Sequence, residues 1–172
     1  TYRDRPCLKS PIDLSLYLRL LWSIKPATLI EIGSKEGGAA LWFADMTSIY
    51  GLKTKIVSID ICPPTDLLDE RIEFLTGDVE HLEDCLTPSF CRSLPRPWFI
   101  IEDSSHQFLG VMAALDFFSK KMQPLEMMVV EDGILDELDL KDLYQGGPNR
   151  AIAEFMRQNE SCFRIDRESC DF

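Results

Sequence analysis

The stretch Thr28-Leu29-Ile30-Glu31-Ile32-Gly33-Ser34-Lys35-Glu36-Gly37-Gly38 permits few folds. It reads as a short buried strand running to Gly33, a glycine-rich turn, and a helix that starts at Gly37 or Gly38. A short apolar run with β-branched residues is what a strand covered on both faces requires. The glycines admit φ > 0 and let a ligand approach the backbone closely. The helix that follows offers unpaired N–H groups at its first turn. Strand, turn and helix together are the start of a nucleotide-type cofactor site.

The same alternation extends through the chain. Ser10-Pro11-Ile12-Asp13 is a helix start, with Ser as N-cap, Pro at the first helical position and an acid at the third. Leu14, Tyr17, Leu18 and Leu21 then recur at helical spacing, widened by Leu16, Leu20 and Ile24, until Pro26 ends the helix. Strands are predicted at Thr28 to Gly33, Lys55 to Asp60, Ile72 to Thr76, Trp98 to Glu102 and Met127 to Val130, with a sixth beginning at Phe163 to Ile165. Helices are predicted after Gly37, around Asp66 to Glu70 as a short turn, over Val79 to Cys91, from Phe108 to Phe118, and from Gly146-Gly147-Pro148 through Met156. The acidic stretch Ile134 to Gln145 is a loop. This pattern is α/β with a mainly parallel sheet, doubly wound.

Such sheets bind ligands outside the carboxyl ends of their strands. That rule gathers Gly33, Asp60, Asp78, Asp103, Glu131 and Asp132 on one rim.

A chain of 172 residues suits one domain, here an N-terminal helical segment 1–26 and an α/β core 27–172. The net charge of -11 leaves no basic surplus for a nucleic-acid backbone. No apolar run approaches the roughly 20 residues of a membrane span, and no secretory pattern stands at Thr1 to Lys9. The six cysteines form no CxxC and no zinc-type Cys/His spacing. The expectation is a soluble, cytoplasmic protein with thiols in a reducing compartment. Its partner is expected to be a small hydroxylated molecule, with neither nucleic acid nor membrane. The oligomeric state is open, a homo-oligomer included.

The rim carries the chemistry. The turn reads G-x-x-x-G-G, with Lys35 where a dinucleotide site has its second glycine. Glu31, just before the turn, is placed to meet a cation; S-adenosylmethionine carries a sulfonium and an ammonium. Asp60 can accept hydrogen bonds from a ribose, as for NAD or S-adenosylmethionine alike, or is a helix-capping aspartate. Asp78 either faces an adenine amino group or is a turn aspartate. Asp103, Glu131 and Asp132 would repel one another unless something positive joined them. Hard oxygen ligands with no nearby Cys suit Mg²⁺, Mn²⁺ or Ca²⁺; solvated loop acids are the other reading. His106, three residues after Asp103, is a candidate base or a metal or substrate contact, with a surface or capping role also open. His81 is read as structural.

These residues resemble those of the class I S-adenosylmethionine-dependent methyltransferases, and more narrowly the cephalosporin hydroxylase family, which includes rhamnosyl O-methyltransferases. The matching elements are Glu31-Ile-Gly33-Ser-Lys-Glu-Gly37-Gly38, Ser58-Ile-Asp60, Gly77-Asp78, Ile101-Glu-Asp103-Ser-Ser-His106, Val130-Glu131-Asp132 and Gly146-Gly147-Pro148. They run in order from about Leu29 to Met156. The resemblance implies a Rossmann-like three-layer sandwich with seven strands, the last antiparallel. It implies cofactor contacts from Glu31, Gly33, Ser34, Gly37, Gly38, Asp60, Asp78 and Asp103. By similarity also to catechol-type methyltransferases, it implies Mg²⁺ on Asp103, Glu131 and Asp132, with His106 and Asp103 catalytic.

Two departures stand out. Catechol-type enzymes have a lysine just after the first metal aspartate, and here none lies between Asp103 and His106. Little chain follows Phe163, so the C-terminal strands are expected to be incomplete. The reading is a Mg²⁺-dependent O-methyltransferase acting on a sugar or secondary metabolite. A hydroxylase or oxidoreductase of the kind the family name denotes, and a non-catalytic cofactor-binding domain, are the alternatives.

Overall fold

The computed structural model describes residues 1–170. Helix α1 spans Pro11–Ile24 and opens with a capping box: Ser10 Oγ accepts from Asp13 N at 3.1 Å, and Asp13 Oδ2 accepts from Ser10 N at 2.9 Å. Strands β1 (Thr28–Ile32), β2 (Lys55–Asp60), β3 (Ile72–Thr76), β4 (Trp98–Glu102) and β5 (Met127–Val130) form one parallel sheet in the order β3-β2-β1-β4-β5. Helix α2 (Gly38–Ile49) follows β1, α3 (Leu82–Cys85) and α4 (Pro88–Ser93) follow β3, α5 (Phe108–Ser119) joins β4 to β5, and α6 (Gly147–Asn159) comes after the acidic loop.

Alternation along each strand sends side chains to opposite faces. Leu29, Ile56, Phe99 and Ile101 point to one face, where Tyr17, Leu20 and Leu21 of α1 and Phe43 and Ala44 of α2 cover them. Ile30, Ile32, Val57, Ile59 and Ile100 point to the other, against Ala114 and Phe118 of α5 and Leu82 of α3. A third cluster joins α5 to α6 through Val111, Leu115, Ala151 and Phe155. Among the described residues no helix is long and apolar enough to cross a membrane.

Three predicted elements come out differently. The turn at 66–70 is irregular, because Asp69 folds back to accept from Arg71 N (3.1 Å) and Nε (2.8 Å) and so uses its carboxylate in a local turn. The single helix expected at Val79 to Cys91 is three pieces, a 3-10 turn at Val79–His81, then α3 and α4. Thr87-Pro88 restarts the chain there, Thr87 Oγ1 accepting from Phe90 N at 3.2 Å. No strand forms at 163–165. Phe163 stacks edge-on against Phe155 of α6, centroids 5.4 Å apart, which draws it onto the helix and not to the edge of β5.

The strand order reverses direction at β1, so the carboxyl ends of β1 and β4 flank the crevice where ligands bind in such sheets. Gly33, at φ +102°, sits in that crevice, and a Cβ there would lie 2.0 Å from the Asp103 carbonyl oxygen. Gly33→Ala therefore forces two strand ends apart and should cost more than about 3 kcal/mol. Gly51→Ala, also at positive φ (+69°) but with nothing within 4 Å, should cost only about 1 kcal/mol. Denaturant unfolding of both variants tests this; equal losses would show that the collision is not what makes Gly33 necessary.

Candidate active site

The parallel pairing sets Glu31 beside Ser58. Glu31 is fully buried; its Oε2 lies 2.5 Å from Ser58 Oγ, which is also 2.8 Å from Ser34 Oγ. Its other oxygen, Oε1, has no hydrogen-bond partner among the described residues. Burial pushes the Glu31 carboxyl up to about 7, against the pull of the Ser58 hydrogen bond and the Lys9 charge. The turn closes through Gly33 N to Ile59 O (2.7 Å), Ser34 N to Ile59 O (3.2 Å) and Gly37 N to Ser34 O (2.8 Å), and Gly38 begins α2. Asp60 ends β2 and accepts from the backbone N–H groups of Lys35 (2.8 Å) and Cys62 (2.9 Å), tying the glycine turn to the loop after β2. Asp78 caps the 3-10 turn, accepting from Glu80 N at 3.0 Å.

Asp103 leaves β4, and Glu131 and Asp132 leave β5, which pairs with β4 up to Glu102 opposite Val130. The backbone is left-handed at His106 and Asp132, each at φ 58°. His106 Nε2 lies 3.1 Å from Asp132 Oδ2, the Tyr144 ring stands edge-on to the imidazole, and His106 Nδ1 is buried without a partner among the described residues. Asp103, His106 and Asp132 each bring a ligand atom within 4.8 Å of the others.

Glu131 lies outside that trio. Its Oε1 accepts from Lys9 Nζ at 2.6 Å and from the Tyr17 hydroxyl, and the same Lys9 ammonium contacts Asp103 Oδ2. The structure thus brings together Asp103, His106 and Asp132 and engages Glu131 with the Tyr17 hydroxyl and with a Lys9 ammonium that it shares with Asp103. Neither Lys9 nor Tyr17 stands out in the sequence; the one signal was the surplus of acids, which called for a positive charge. Burial pulls the Lys9 ammonium down, but Glu131 and Asp103 outweigh it and hold it above its ordinary value. Burial also lifts Asp103, to about 7, with the charges of Glu131 and Asp132 adding and that of Lys9 opposing. Tyr17 is held well above its usual range by burial and by Glu131. Glu102, buried at the end of β4 with Oε2 unpartnered among the described residues, is a further carboxyl of this rim that strand patterning hid.

The first ten residues deliver Lys9. Arg5 pairs with Asp66 at 2.8 Å and donates to Glu36 O at 3.2 Å, and the Pro6 carbonyl lies so close to Gly38 that a Cβ there would meet it at 2.0 Å. The segment therefore crosses the start of α2 before reaching the acids.

The profile of the family described as rhamnosyl O-methyltransferase/CmcI matches residues 1–171. A rhamnosyl O-methyltransferase of Mycobacterium leprae (strain TN) is 29% identical over 166 residues, covering 92% of this chain and 71% of that protein. That of Mycobacterium tuberculosis (strain ATCC 25618 / H37Rv) is 26% identical over 176 positions, covering 98% and 71%. Among solved structures, CmcI with Mg and SAM superposes at a TM-score of 0.75 with 21% identity, over 98% of this chain and 69% of that one. MycE, a methyltransferase of mycinamycin biosynthesis solved with Mg, SAH and mycinamycin VI, superposes at 0.60 with 17% identity, over 84% and 42%. At these identities the two superpositions establish the fold: an α/β, Rossmann-like methyltransferase sheet.

Buried Glu31 has a measurable signature. Its folded value of about 7 lies above the ordinary 4.5, so its stabilising contribution is full below pH 4.5 and is lost as pH rises through 7. Glu31→Gln should match the unaltered chain near pH 4.5 and exceed it by roughly 3 kcal/mol at pH 8. Thermal unfolding of both across that range checks it; a stability gap independent of pH would refute the assignment.

Proposed function

The chain belongs to the rhamnosyl O-methyltransferase/CmcI family, and from that premise we propose that it transfers a methyl group from S-adenosylmethionine to a hydroxyl of a small molecule, a sugar above all, at a centre assisted by Mg²⁺. The observation that carries the reading is the convergence of Asp103, His106 and Asp132 beside the turn that follows Glu31.

The residues fit both groups. An unpartnered, fully buried carboxylate oxygen on Glu31 suits a cationic ligand at the glycine turn. Asp60 keeps lone pairs beyond those its two backbone donors use, which suits ribose hydroxyls. Asp103 and Asp132 offer hard oxygens at one point, the donors Mg²⁺ prefers, and the imidazole nitrogen of His106 is the poorer ligand for that ion. When bound, S-adenosylmethionine supplies an electrophilic methyl group and Mg²⁺ supplies positive charge that lowers the pKa of a hydroxyl.

The protein's own part is orientation and proton transfer. Asp132, 3.1 Å from Nε2, holds the imidazole of His106 at the rim, which makes His106 the candidate base for the acceptor's proton. The loop after β5 frames the acceptor side, since Tyr144 packs on His106 and the Leu143 carbonyl accepts from Gln107 at 3.4 Å. Fixing acceptor oxygen and methyl group in line then supplies most of the acceleration.

Calorimetric titration with S-adenosylhomocysteine and with NADH, each with Mg²⁺ and with chelator, tests the reading. Binding of S-adenosylhomocysteine alone is expected; binding of NADH alone would reject it. Asp132→Ala should abolish transfer of labelled methyl groups to rhamnose-bearing acceptors while leaving S-adenosylhomocysteine affinity within about tenfold, or about 1.4 kcal/mol. Full activity of that variant in chelator would remove the metal from the proposal. Asp60→Ala should instead weaken S-adenosylhomocysteine by more than about tenfold, and unchanged affinity would exclude its ribose role.

A further inference from the structure

Three carboxylates meet at the ends of β4 and β5, and among the described residues the ion pairs made to them come from His106, on Asp132, and Lys9, on Asp103 and Glu131. The Lys9 side chain is only 2% exposed, whereas those of Asp103 and Asp132 are 22% and 39% exposed. The ammonium thus sits on the inner side of the acids, and solvent reaches them from the other. Lys9 also arrives from far away in the chain, on a segment anchored by Arg5 and Pro6.

We infer that Lys9 is the resident counter-ion of this centre, holding Asp103 and Glu131 together when no metal is bound and competing with the metal for them. The inference rests on the metal reading proposed above. Its physical basis is charge balance. Without a cation, two part-buried carboxylates would face each other uncompensated, a costly arrangement. With Lys9 in place, a divalent ion coming from solvent finds Asp103 already engaged and Glu131 closed by both Lys9 and the Tyr17 hydroxyl. An ammonium and a divalent ion on one carboxylate repel strongly where water screens little. The ion gains Glu131 only as the ammonium withdraws. Competition of this kind is reciprocal: what Lys9 takes from metal affinity, metal takes from the seating of Lys9.

Metal affinity reads this without any catalytic assay. Mn²⁺, followed by its electron paramagnetic resonance signal, is titrated into the unaltered chain, Lys9→Met and Lys9→Arg. Lys9→Met, which keeps length and loses charge, should bind Mn²⁺ roughly tenfold more tightly, while Lys9→Arg stays near the unaltered chain. Equal or weaker binding by Lys9→Met would show that the lysine only orients the ligands and would overturn the inference. Absence of Mn²⁺ binding in all three proteins would overturn the metal reading itself and the inference with it.

A second measurement needs no variant. Mg²⁺ should accelerate acylation of the Lys9 amine by an amine-reactive ester, read by mass spectrometry, with exposed Lys53 as the unchanged internal reference. Protection of Lys9 that stays the same or deepens with Mg²⁺ would overturn the inference equally.

Discussion

The carboxyl ends of β1 and β4 approach with no room for a side chain between them, and the rest of the molecule is arranged around that contact. Gly33 faces the Asp103 carbonyl, and Asp103 N donates to Ile32 O at 2.9 Å. This fixes the separation of the glycine turn from the acids of the neighbouring strands. Helices on both faces press the strands into that register, through Phe43 and Tyr17 on one side and Phe118 on the other. The rim is therefore a product of the core. Gly33 and Asp60 follow directly on Ile32 and Ile59, both buried in that core.

Electrostatics then decides how the rim is used. Among the described residues, Glu31, Glu102, Asp103 and Glu131 lie wholly or largely out of water, and Lys9 pairs with two of them, Asp103 and Glu131. A site with more buried negative charge than positive is ready for a cationic ligand. Glu31 and Asp103 are both lifted to about 7, chiefly by burial, with neighbouring carboxylates adding to the rise. The proposed sulfonium cofactor and divalent ion would be two ways of offsetting that negative charge.

Much of this was legible in the sequence, for a local reason. β2 and β3 begin and end where the apolar β-branched runs do, because proline, glycine or aspartate stops each run. Glu31, Asp60, Asp103, Asp132 and His106 could be placed because a parallel sheet puts every strand's end on one rim. What escaped was non-local or doubly determined. Lys9 meets acids 94 and 122 residues away, and no spacing rule reaches across such a gap. Tyr17 read as one more residue of an apolar stripe. Its ring does pack edge-on against Phe43, at 5.0 Å, but its hydroxyl emerges at Glu131, a division of labour that periodicity does not resolve. The helix expected at Val79 to Cys91 failed for a simpler cause, a threonine-proline pair that reads equally as an interruption or a new start.

The N-terminal segment also has a consequence for the order of assembly. Contacts between distant residues form after local ones, since the intervening chain must first be ordered. Lys9 leaves the ribosome early, yet Glu131 is made only after β4 and α5. The crevice can be built strand by strand, but Asp103 and Glu131 gain their ammonium only when the segment bearing Lys9 packs against the ends of β4 and β5. Until Lys9 and Glu131 meet, the carboxylates at the ends of β4 and β5 lack that ammonium.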